Sequence, residues 1–189
     1  MLKDLVLKNR SYRRFFQDTP VSLETLKELV DLARLSASGG NQQSLKYILS
    51  CEPLKNTAIF HTLSWARLLE GWGGPKAGER PSAYIVILHD KEISPNYFCD
   101  HGIAAQTILL GAAEKGLGGC MVGAIKKEDL KKALNLADRF DILLVVALGK
   151  PREKVVIETV GADGSTKYWR DSQDTHHVPK RALKDIILG

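Results

Sequence analysis

The sequence has few cysteines, and their spacing argues against two common kinds of architecture. Only three occur among 189 residues, at Cys51, Cys99 and Cys120, widely spaced and without a CxxC pair. We therefore expect no disulfide-stapled secreted domain but a cytoplasmic protein with reduced thiols. The run Cys99-Asp100-His101 lacks a second ligand pair at metal-binding spacing, so we expect no metal site.

The familiar signatures of self-contained catalysis are also missing. The chain has no GxSxG elbow, no HExxH pair and no Walker A loop, because Glu79 stands where the segment beginning at Gly73 would need lysine. Gly116-Leu117-Gly118 begins like a dinucleotide fingerprint, but Met121 stands in place of the third glycine. No catalytic side chain is therefore predicted. An enzyme with this sequence would depend on a cofactor for its chemistry.

Long apolar runs are absent as well. The longest stretch without a charged residue, 102–113, is too short to span a bilayer, and the N-terminus is charged where a signal peptide would be apolar. With 44% hydrophobic and 26% charged residues, the composition is typical of a globular protein, and the length fits a single domain over 1–189. We expect neither a membrane span nor a targeting segment.

What the sequence does have is a modest excess of positive charge. Lysine and arginine number 27 against 22 acidic residues, and they concentrate at 10–14 and 180–184. Asn9–Phe15 holds three arginines and a serine, and guanidinium forks match the oxygens of a phosphate. We interpret this segment as an anion-binding cradle, with a solvated basic arm as the simpler alternative. Loose nucleic-acid affinity also fits the charge, although no nucleic-acid-binding signature accompanies it.

Apolar periodicity predicts one α+β domain. Ser22 is a natural N-cap for a helix with leucines at helical spacing, and the small residues of Asp100–Lys115 predict a buried helix. Other predicted elements are strands at 45–51, 83–89, 120–122, 142–149 and 155–157, helices at 53–70 and 127–136, and a short last helix ending at 188. Helices packed on a sheet of four or five strands follow. The weakly periodic segment from about 152 to 189 is predicted to be an arm over another surface.

Six motifs, in order along the chain, resemble those of the nitroreductase family. They are Arg10-Ser11-x-Arg13-x-Phe15, Ser38-x-x-Asn41-x-Gln43, Asp100-x-Gly102-x-Ala104, Gly116-Leu117-Gly118, Leu148-Gly149-x-Pro151 and Pro179-Lys180-Arg181. Each motif is weak alone, but their order and spacing also match, and together they cover nearly the whole chain. The resemblance therefore concerns the complete domain.

The resemblance implies a fold, a cofactor and a reaction. The fold would be a three-layer α/β/α arrangement with a mixed, mainly antiparallel central sheet, in an intertwined homodimer. FMN would bind non-covalently at the subunit interface. Hydride would pass from NAD(P)H to flavin N5 and then, in ping-pong fashion, to a small-molecule acceptor such as a nitroaromatic or a quinone. The implied partners include neither nucleic acid nor membrane.

The resemblance also assigns residues to the phosphate and pyrimidine of the flavin. The phosphate would be held by Arg10, Ser11 and Arg181, with Lys180 beside the last. Arg13 would lie by the pyrimidine edge, where a cation favours the anion of reduced flavin, an electrostatic role. The two ends of the chain would thus meet at one ligand.

The remaining assignments concern the ribityl chain, the ring and the substrate. The ribityl chain or ring edge would meet Ser38, Asn41 and Gln43. The backbone near flavin N5 would be that of Val122, Gly123 and Ala124. The substrate pocket would be shaped by Trp65, Arg67 and Trp72. Core or rim aromatics and a solvated arginine are the alternative interpretation of these last three residues.

Some positions depart from the family pattern, and other functions fit the same residues. Asn9 stands where the family often has another arginine, Ala37 replaces a usual proline, and Ser44-Leu45 replaces a frequent Pro-Trp. The competing functions are a non-catalytic flavin-binding module, a basic nucleic-acid-binding module, and other reactions of the family, namely dehalogenation, flavin destruction and azole dehydrogenation.

Overall fold

The computed structural model describes residues 1–66 and 68–188, which form a five-stranded sheet flanked by helices and a smaller three-stranded sheet. The helices are α1 (Leu2–Lys8), α2 (Leu23–Arg34), α3 (Pro53–Phe60), α4 (Asp100–Glu114) and α5 (Lys127–Ala133). The strands are β1 (Phe15–Phe16), β2 (Leu45–Ser50), β3 (Ala83–Asp90), β4 (Gly118–Val122), β5 (Phe140–Pro151), β6 (Val155–Thr159), β7 (Trp169–Arg170) and β8 (His176–Lys180). Short 3₁₀ turns span Gly39–Asn41 and Leu183–Asp185.

Strand β5 is the centre of the larger sheet. The strand order is β1-β5-β3-β2, and β4 also pairs with β5, from Val122 opposite Val145 to Gly118 opposite Gly149. Every strand pair in this sheet is antiparallel. The smaller sheet has the order β6-β8-β7, with β6 and β8 parallel. The prediction of a mainly antiparallel central sheet is confirmed.

Two hydrophobic clusters lie on opposite faces of the larger sheet. Ile85 and Ile87 of β3 belong to the cluster covered by α2 and α4, whereas Tyr84 and Val86 belong to the cluster that includes residues of α3 and α5. The split follows from the strand itself, because successive side chains point to opposite faces. The helices therefore form two outer layers, and the predicted α/β/α arrangement is confirmed.

Helices α2 and α4 form one outer layer, and local chemistry explains how they fit. The Ser22 hydroxyl accepts the backbone N–H of Thr25 at 3.1 Å, which caps α2 as predicted. A Cβ added at Gly111 would lie 2.6 Å from a methyl carbon of Leu32, so the absence of a side chain there lets α4 approach α2 closely. Across 1–66 and 68–188, no helix is both long and apolar enough to cross a membrane.

The helix predicted over 53–70 is wrong in its second half, since α3 ends at Phe60. The Thr62 hydroxyl donates to the Ile59 carbonyl, and Leu63 then forms an isolated antiparallel bridge with Ile125. The backbone of Thr62 also accepts from Lys126 N–H at 2.8 Å. A tertiary contact with the segment after β4 thus redirects the chain, and apolar periodicity carries no signal for such a contact.

The predicted ends of two other helices also shift. Helix α5 ends at Ala133 rather than at 136, and Asn135 just beyond it has a left-handed φ of 50°. The last predicted helix is only the 3₁₀ turn Leu183–Asp185. Beyond the predicted 155–157 strand, the segment after residue 151 also contains β7 and β8, which the sequence did not predict.

One buried carboxylate joins the smaller sheet to the arginine-rich segment Asn9–Phe15. The Glu153 side chain, 1% exposed, accepts the backbone N–H groups of Arg13 and Arg14 and pairs with Arg170 Nη2 at 2.8 Å. Arg14 adds ion pairs to Glu79 at 2.7 Å and to Asp174 at 2.9 Å. These contacts place the segment that begins at Arg10 against β7 and β8.

Candidate functional site

A cleft of about 300 Å³ opens beside the arginine-rich segment. Its lining residues are Asn9, Arg10, Ser11, Arg13, Gln106, Leu109, Met121, Tyr168, His176, Val178 and Lys180. Among these described residues three carry a positive charge at neutral pH and none is acidic. The cleft therefore favours an anion.

Arg10 is oriented at one end of this cleft. Its Nη2 donates to the Val6 carbonyl at 2.6 Å, while its buried Nε has no hydrogen-bond partner among the described residues. The neighbouring Ser11, which is exposed, forms a parallel bridge with Gly119 of β4. A buried donor without a partner is unusual in a folded protein. An oxyanion at this end would supply the missing acceptor, so the residues fit a phosphate group.

Arg13 lies between the cleft and a second cavity. Its guanidinium stacks on the Tyr168 ring at 4.9 Å, and its Nη1 contacts the Ser11 carbonyl at 3.2 Å and His176 Nε2 at 3.3 Å. Its backbone N–H donates to Glu153. The arginine is therefore fixed as a cation with one face on an aromatic ring.

The second cavity, of about 180 Å³, continues the cleft. Its lining residues are Arg13, Ser64, Trp65, Ala66, Cys120, Met121, Val122, Gly123, Ala124 and Tyr168. Arg13, Met121 and Tyr168 line both cavities, so the two form one elongated depression with charged groups at one end and the end of β4 at the other. This shape fits a ligand with a phosphate tail and a planar head.

The Ser38–Gln43 loop lines a different cavity of about 130 Å³, which shares no lining residue with the cleft. The Ser38 hydroxyl donates to buried Asp100 at 2.7 Å and accepts from Gln43 N–H at 3.0 Å. Gln43 Nε2 in turn donates to Asn41 Oδ1 at 3.1 Å. Both Asn41 and Gln43 have left-handed φ angles, 52° and 51°, and such strain in non-glycine residues is concentrated at functional sites.

The comparisons with known proteins agree with this architecture. A model of the Nitroreductase family matches residues 6–150. The chain belongs to the nitroreductase family. The membership that the sequence motifs predicted is thus confirmed.

Relatives of known name and structure extend this result. The 4-nitrobenzoate reductase of Pseudomonas putida is 23% identical, over 83% of this chain and 88% of that protein. The FMN-dependent nitroreductase of Clostridium difficile R20291 is 23% identical with a TM-score of 0.64, over 78% of this chain and 87% of that chain. NADPH:FMN oxidoreductase from Vibrio harveyi, complexed with NAD+, is 20% identical with a TM-score of 0.65, over 86% of this chain and 74% of that chain. At these identities, the solved structures show the fold.

The nitroreductase fold brings together most, but not all, of the residues predicted for the site. The elongated depression is lined by Arg10, Ser11, Arg13, Lys180, Val122, Gly123, Ala124 and Trp65. Arg181 is exposed and lines none of the cavities described here. Trp72 packs on the core rim beneath the Arg170 guanidinium, 4.6 Å from its ring, rather than in the depression. Arg67 lies outside the described residues.

Several residues that line this nitroreductase site had no predicted role. Tyr168 and His176 line the cleft, and their rings lie 5.2 Å apart. The sequence signal for them is that 168–177 is rich in aromatic and histidine residues. This segment lacks the apolar periodicity that would assign it to a strand or a helix. His176 is 1% exposed, and burial together with the positive charges of Arg13 and Arg170 lowers its pKa to about 4.

Neutral His176 should make stability pH-dependent. Because its folded-state pKa lies below the ordinary 6.5, the unfolded chain takes up a proton first as the pH falls. The stability contributed by neutral His176 is present above pH 6.5 and is lost as the pH falls towards 4. We expect the free energy of unfolding to decline over this window, and His176→Gln to flatten the decline in denaturant titrations.

His177→Gln is the matched control. The carboxylates of Asp171 and Glu158 raise the pKa of His177, so its contribution is fully present below pH 6.5 and is lost only as the pH rises through the raised value. Its replacement should leave the decline between pH 6.5 and 4 unchanged. An equal slope in the parent and in His176→Gln would contradict the assignment.

Proposed function

We propose that the protein is an FMN-dependent oxidoreductase that takes hydride from NAD(P)H and reduces a small-molecule acceptor, such as a nitroaromatic or a quinone. The observation that carries the proposal is the buried Nε of Arg10, which has no partner among the residues that the structure describes and lies at the cationic end of an elongated depression. Relatives named as an FMN-dependent nitroreductase and an NADPH:FMN oxidoreductase support the same cofactor and donor. The three free cysteines support a reducing, cytoplasmic setting.

Different residues of the chain would bind different parts of FMN. Arg10, Ser11 and Lys180 would hold the phosphate, and the backbone of Val122–Ala124 would lie along the ring. When bound, FMN supplies two-electron hydride chemistry. Arg13, fixed on Tyr168, provides a positive charge beside the place where the pyrimidine edge would lie, and such a charge favours the anionic form of a reduced ring.

A homodimer completes this site in the proposal. Ser38, Asn41 and Gln43 lie on a loop whose cavity is separate from the cleft within one chain. A second copy could bring this loop to the cleft, so that the flavin would sit between subunits. The exposed side chains of Ile103 on α4 and of Leu2 and Leu7 on α1 supply apolar surface for such an association.

The acceptor is proposed to be aromatic. Tyr168 and Trp65 line the depression near the ring end, and offset stacking on such rings contributes about 0.5–1.5 kcal/mol beyond burial. The match to a protein named 4-nitrobenzoate reductase supports the same class of acceptor. Trp72 packs under Arg170 instead, so its substitution is not expected to change acceptor preference.

The experiment that tests this function begins with the colour of the purified protein. We expect a flavin absorbance spectrum, or its appearance when FMN is added and excess is removed, followed by NAD(P)H oxidation that depends on an added nitroaromatic or quinone. A protein that stays colourless with FMN would contradict the proposal. Bound flavin without NAD(P)H oxidation would instead indicate a binding module.

A further inference from the structure

A separate cavity of about 190 Å³ lies away from the elongated depression. It forms where the end of β2, the first turns of α3 and the start of β3 meet, and it shares no lining residue with the cleft, the second cavity or the Ser38 cavity. The proposed oxidoreductase chemistry does not use it.

Three hydrogen-bond donors around this cavity have no partner within 1–66 and 68–188. They are Arg80 Nε, the Ser82 hydroxyl and the Tyr84 hydroxyl, each buried and unpaired within the described residues. Tyr84 is fully buried and Ser82 is 9% exposed. Buried polar side chains nearly always have a partner, and a bound ion or water is a common reason for an exception. Three such atoms around one cavity indicate a missing acceptor there.

Arg80 is positioned as a cation at this cavity. Its backbone N–H donates to Gln17 Oε1 at 3.2 Å, and its guanidinium stacks on the Phe60 ring at 4.2 Å. No ion pair joins it to a carboxylate in the described part of the chain, because neighbouring Glu79 is paired with Arg14. The acidic residue in the lining is Asp18, which is exposed. Arg80 therefore brings a positive charge to this cavity that no ion pair neutralises within the described residues.

Two other polar side chains of the cavity, Asn56 and Thr57, are already engaged. Asn56 accepts from the Ser50 hydroxyl at 2.7 Å and donates to the Ser82 carbonyl at 2.7 Å. The Thr57 hydroxyl donates to the Pro53 carbonyl at 2.8 Å. Burial raises the pKa of Tyr84, so its hydroxyl remains a donor at neutral pH. Among the described residues, the Arg80 guanidinium and the Ser82 and Tyr84 hydroxyls can all donate at this cavity, so a ligand that brings acceptors would complement them.

We propose that this cavity is a second binding site, for a small oxyanion held by Arg80, Ser82 and Tyr84. A guanidinium and two hydroxyls match the oxygens of a carboxylate or of inorganic phosphate. The Phe60 ring and the prolines at 20, 53 and 81 form apolar walls, which leave room for a small hydrocarbon group attached to a carboxylate. Such a ligand would bind without touching the flavin depression.

The test is a titration of the FMN-loaded protein, in which the phosphate end of the cleft is already filled. Benzoate and inorganic phosphate serve as separate anionic probes, and benzamide as the neutral counterpart of benzoate, with calorimetry or NMR as the readout. We expect saturable binding of at least one anion and none of benzamide. Hydrogen bonds to charged groups contribute about 1.5–3 kcal/mol, so Arg80→Gln should weaken binding about tenfold or more.

Tyr84→Phe keeps the proposal testable should Arg80→Gln fold poorly. It removes only a buried hydroxyl that has no partner among the described residues, so the variant should be at least as stable as the parent and yet bind the anion several-fold more weakly. Tyr97→Phe, on the loop before α4, is the matched control and should bind like the parent. No saturable binding of either anion, or equal binding by parent and Tyr84→Phe, would mean a cavity that holds water only and would overturn the proposal.

Discussion

Glu153→Ala is expected to lower the free energy of unfolding by about 3–5 kcal/mol, because it breaks a buried ion pair on one side only. The Glu153 carboxylate is 1% exposed and Arg170 is 12% exposed, so the remaining guanidinium would lose its partner in a poorly hydrated place. The backbone N–H groups of Arg13 and Arg14 would lose their acceptor as well. Equilibrium denaturation in urea would measure the loss.

Two further variants separate charge from hydrogen bonding. Glu153→Gln keeps an acceptor oxygen and should cost less than Glu153→Ala, although Arg170 still loses its counter-charge. Glu158→Gln, on β6, changes a more exposed carboxylate that contacts Trp169 and His177. That control should shift stability by less than about 1 kcal/mol. A small effect of Glu153→Ala would show that the smaller sheet does not depend on this anchor.

Arg10→Ala is expected to weaken FMN binding by about tenfold to a hundredfold. A hydrogen bond to a charged group contributes about 1.5–3 kcal/mol, which corresponds to this loss of affinity. The prediction rests on FMN being the cofactor, as proposed. The Arg10 guanidinium is oriented by the Val6 carbonyl, and its Nε has no partner in the described part of the chain, so the variant removes a positioned donor rather than a mobile charge. Fluorescence titration of the apoprotein with FMN would measure the dissociation constant.

The basic residues near the end of the chain extend this experiment. Lys180 lines the cleft and Lys180→Ala should weaken FMN binding, whereas Lys8→Ala, at the end of α1 and outside the cleft, should not. Arg181 lines no cavity described here, yet the family resemblance predicts that Arg181→Ala will match Arg10→Ala. Full flavin occupancy of Arg181→Ala after dialysis would assign the phosphate to Arg10 and Lys180 instead.

The elements that were predicted well are those whose sequence pattern reflects their own burial. Strand β3 is buried along its whole length, and its apolar run identified it directly. Helix α4 is recognisable from small residues such as Gly111, because its packing against α2 requires them. The end of α3 was not predictable in this way, since the bridge between Leu63 and Ile125 depends on a segment far along the chain.

The same distinction applies to the candidate site. Arg10, Ser11 and Arg13 are consecutive or nearly so, which let local chemistry predict an anion cradle, and the structure places all three in one cleft. His176 reaches Arg13 across a separation of 163 positions and through a parallel pairing of β6 with β8. Parallel pairing of distant strands leaves no local turn signal, so the role of His176 could not be derived from the sequence.

The position of β5 in the sheet sets the order in which the chain can acquire structure during synthesis. Strands β1, β3 and β4 all leave the ribosome before Phe140–Pro151, the strand with which each of them pairs. Until β5 is made, β3 can pair with β2. The other edge of β3, which is apolar and later pairs with β5, stays exposed to other chains. A nascent chain stalled before Phe140 should therefore be the form most dependent on chaperones, and completing β5 closes that exposure in one step.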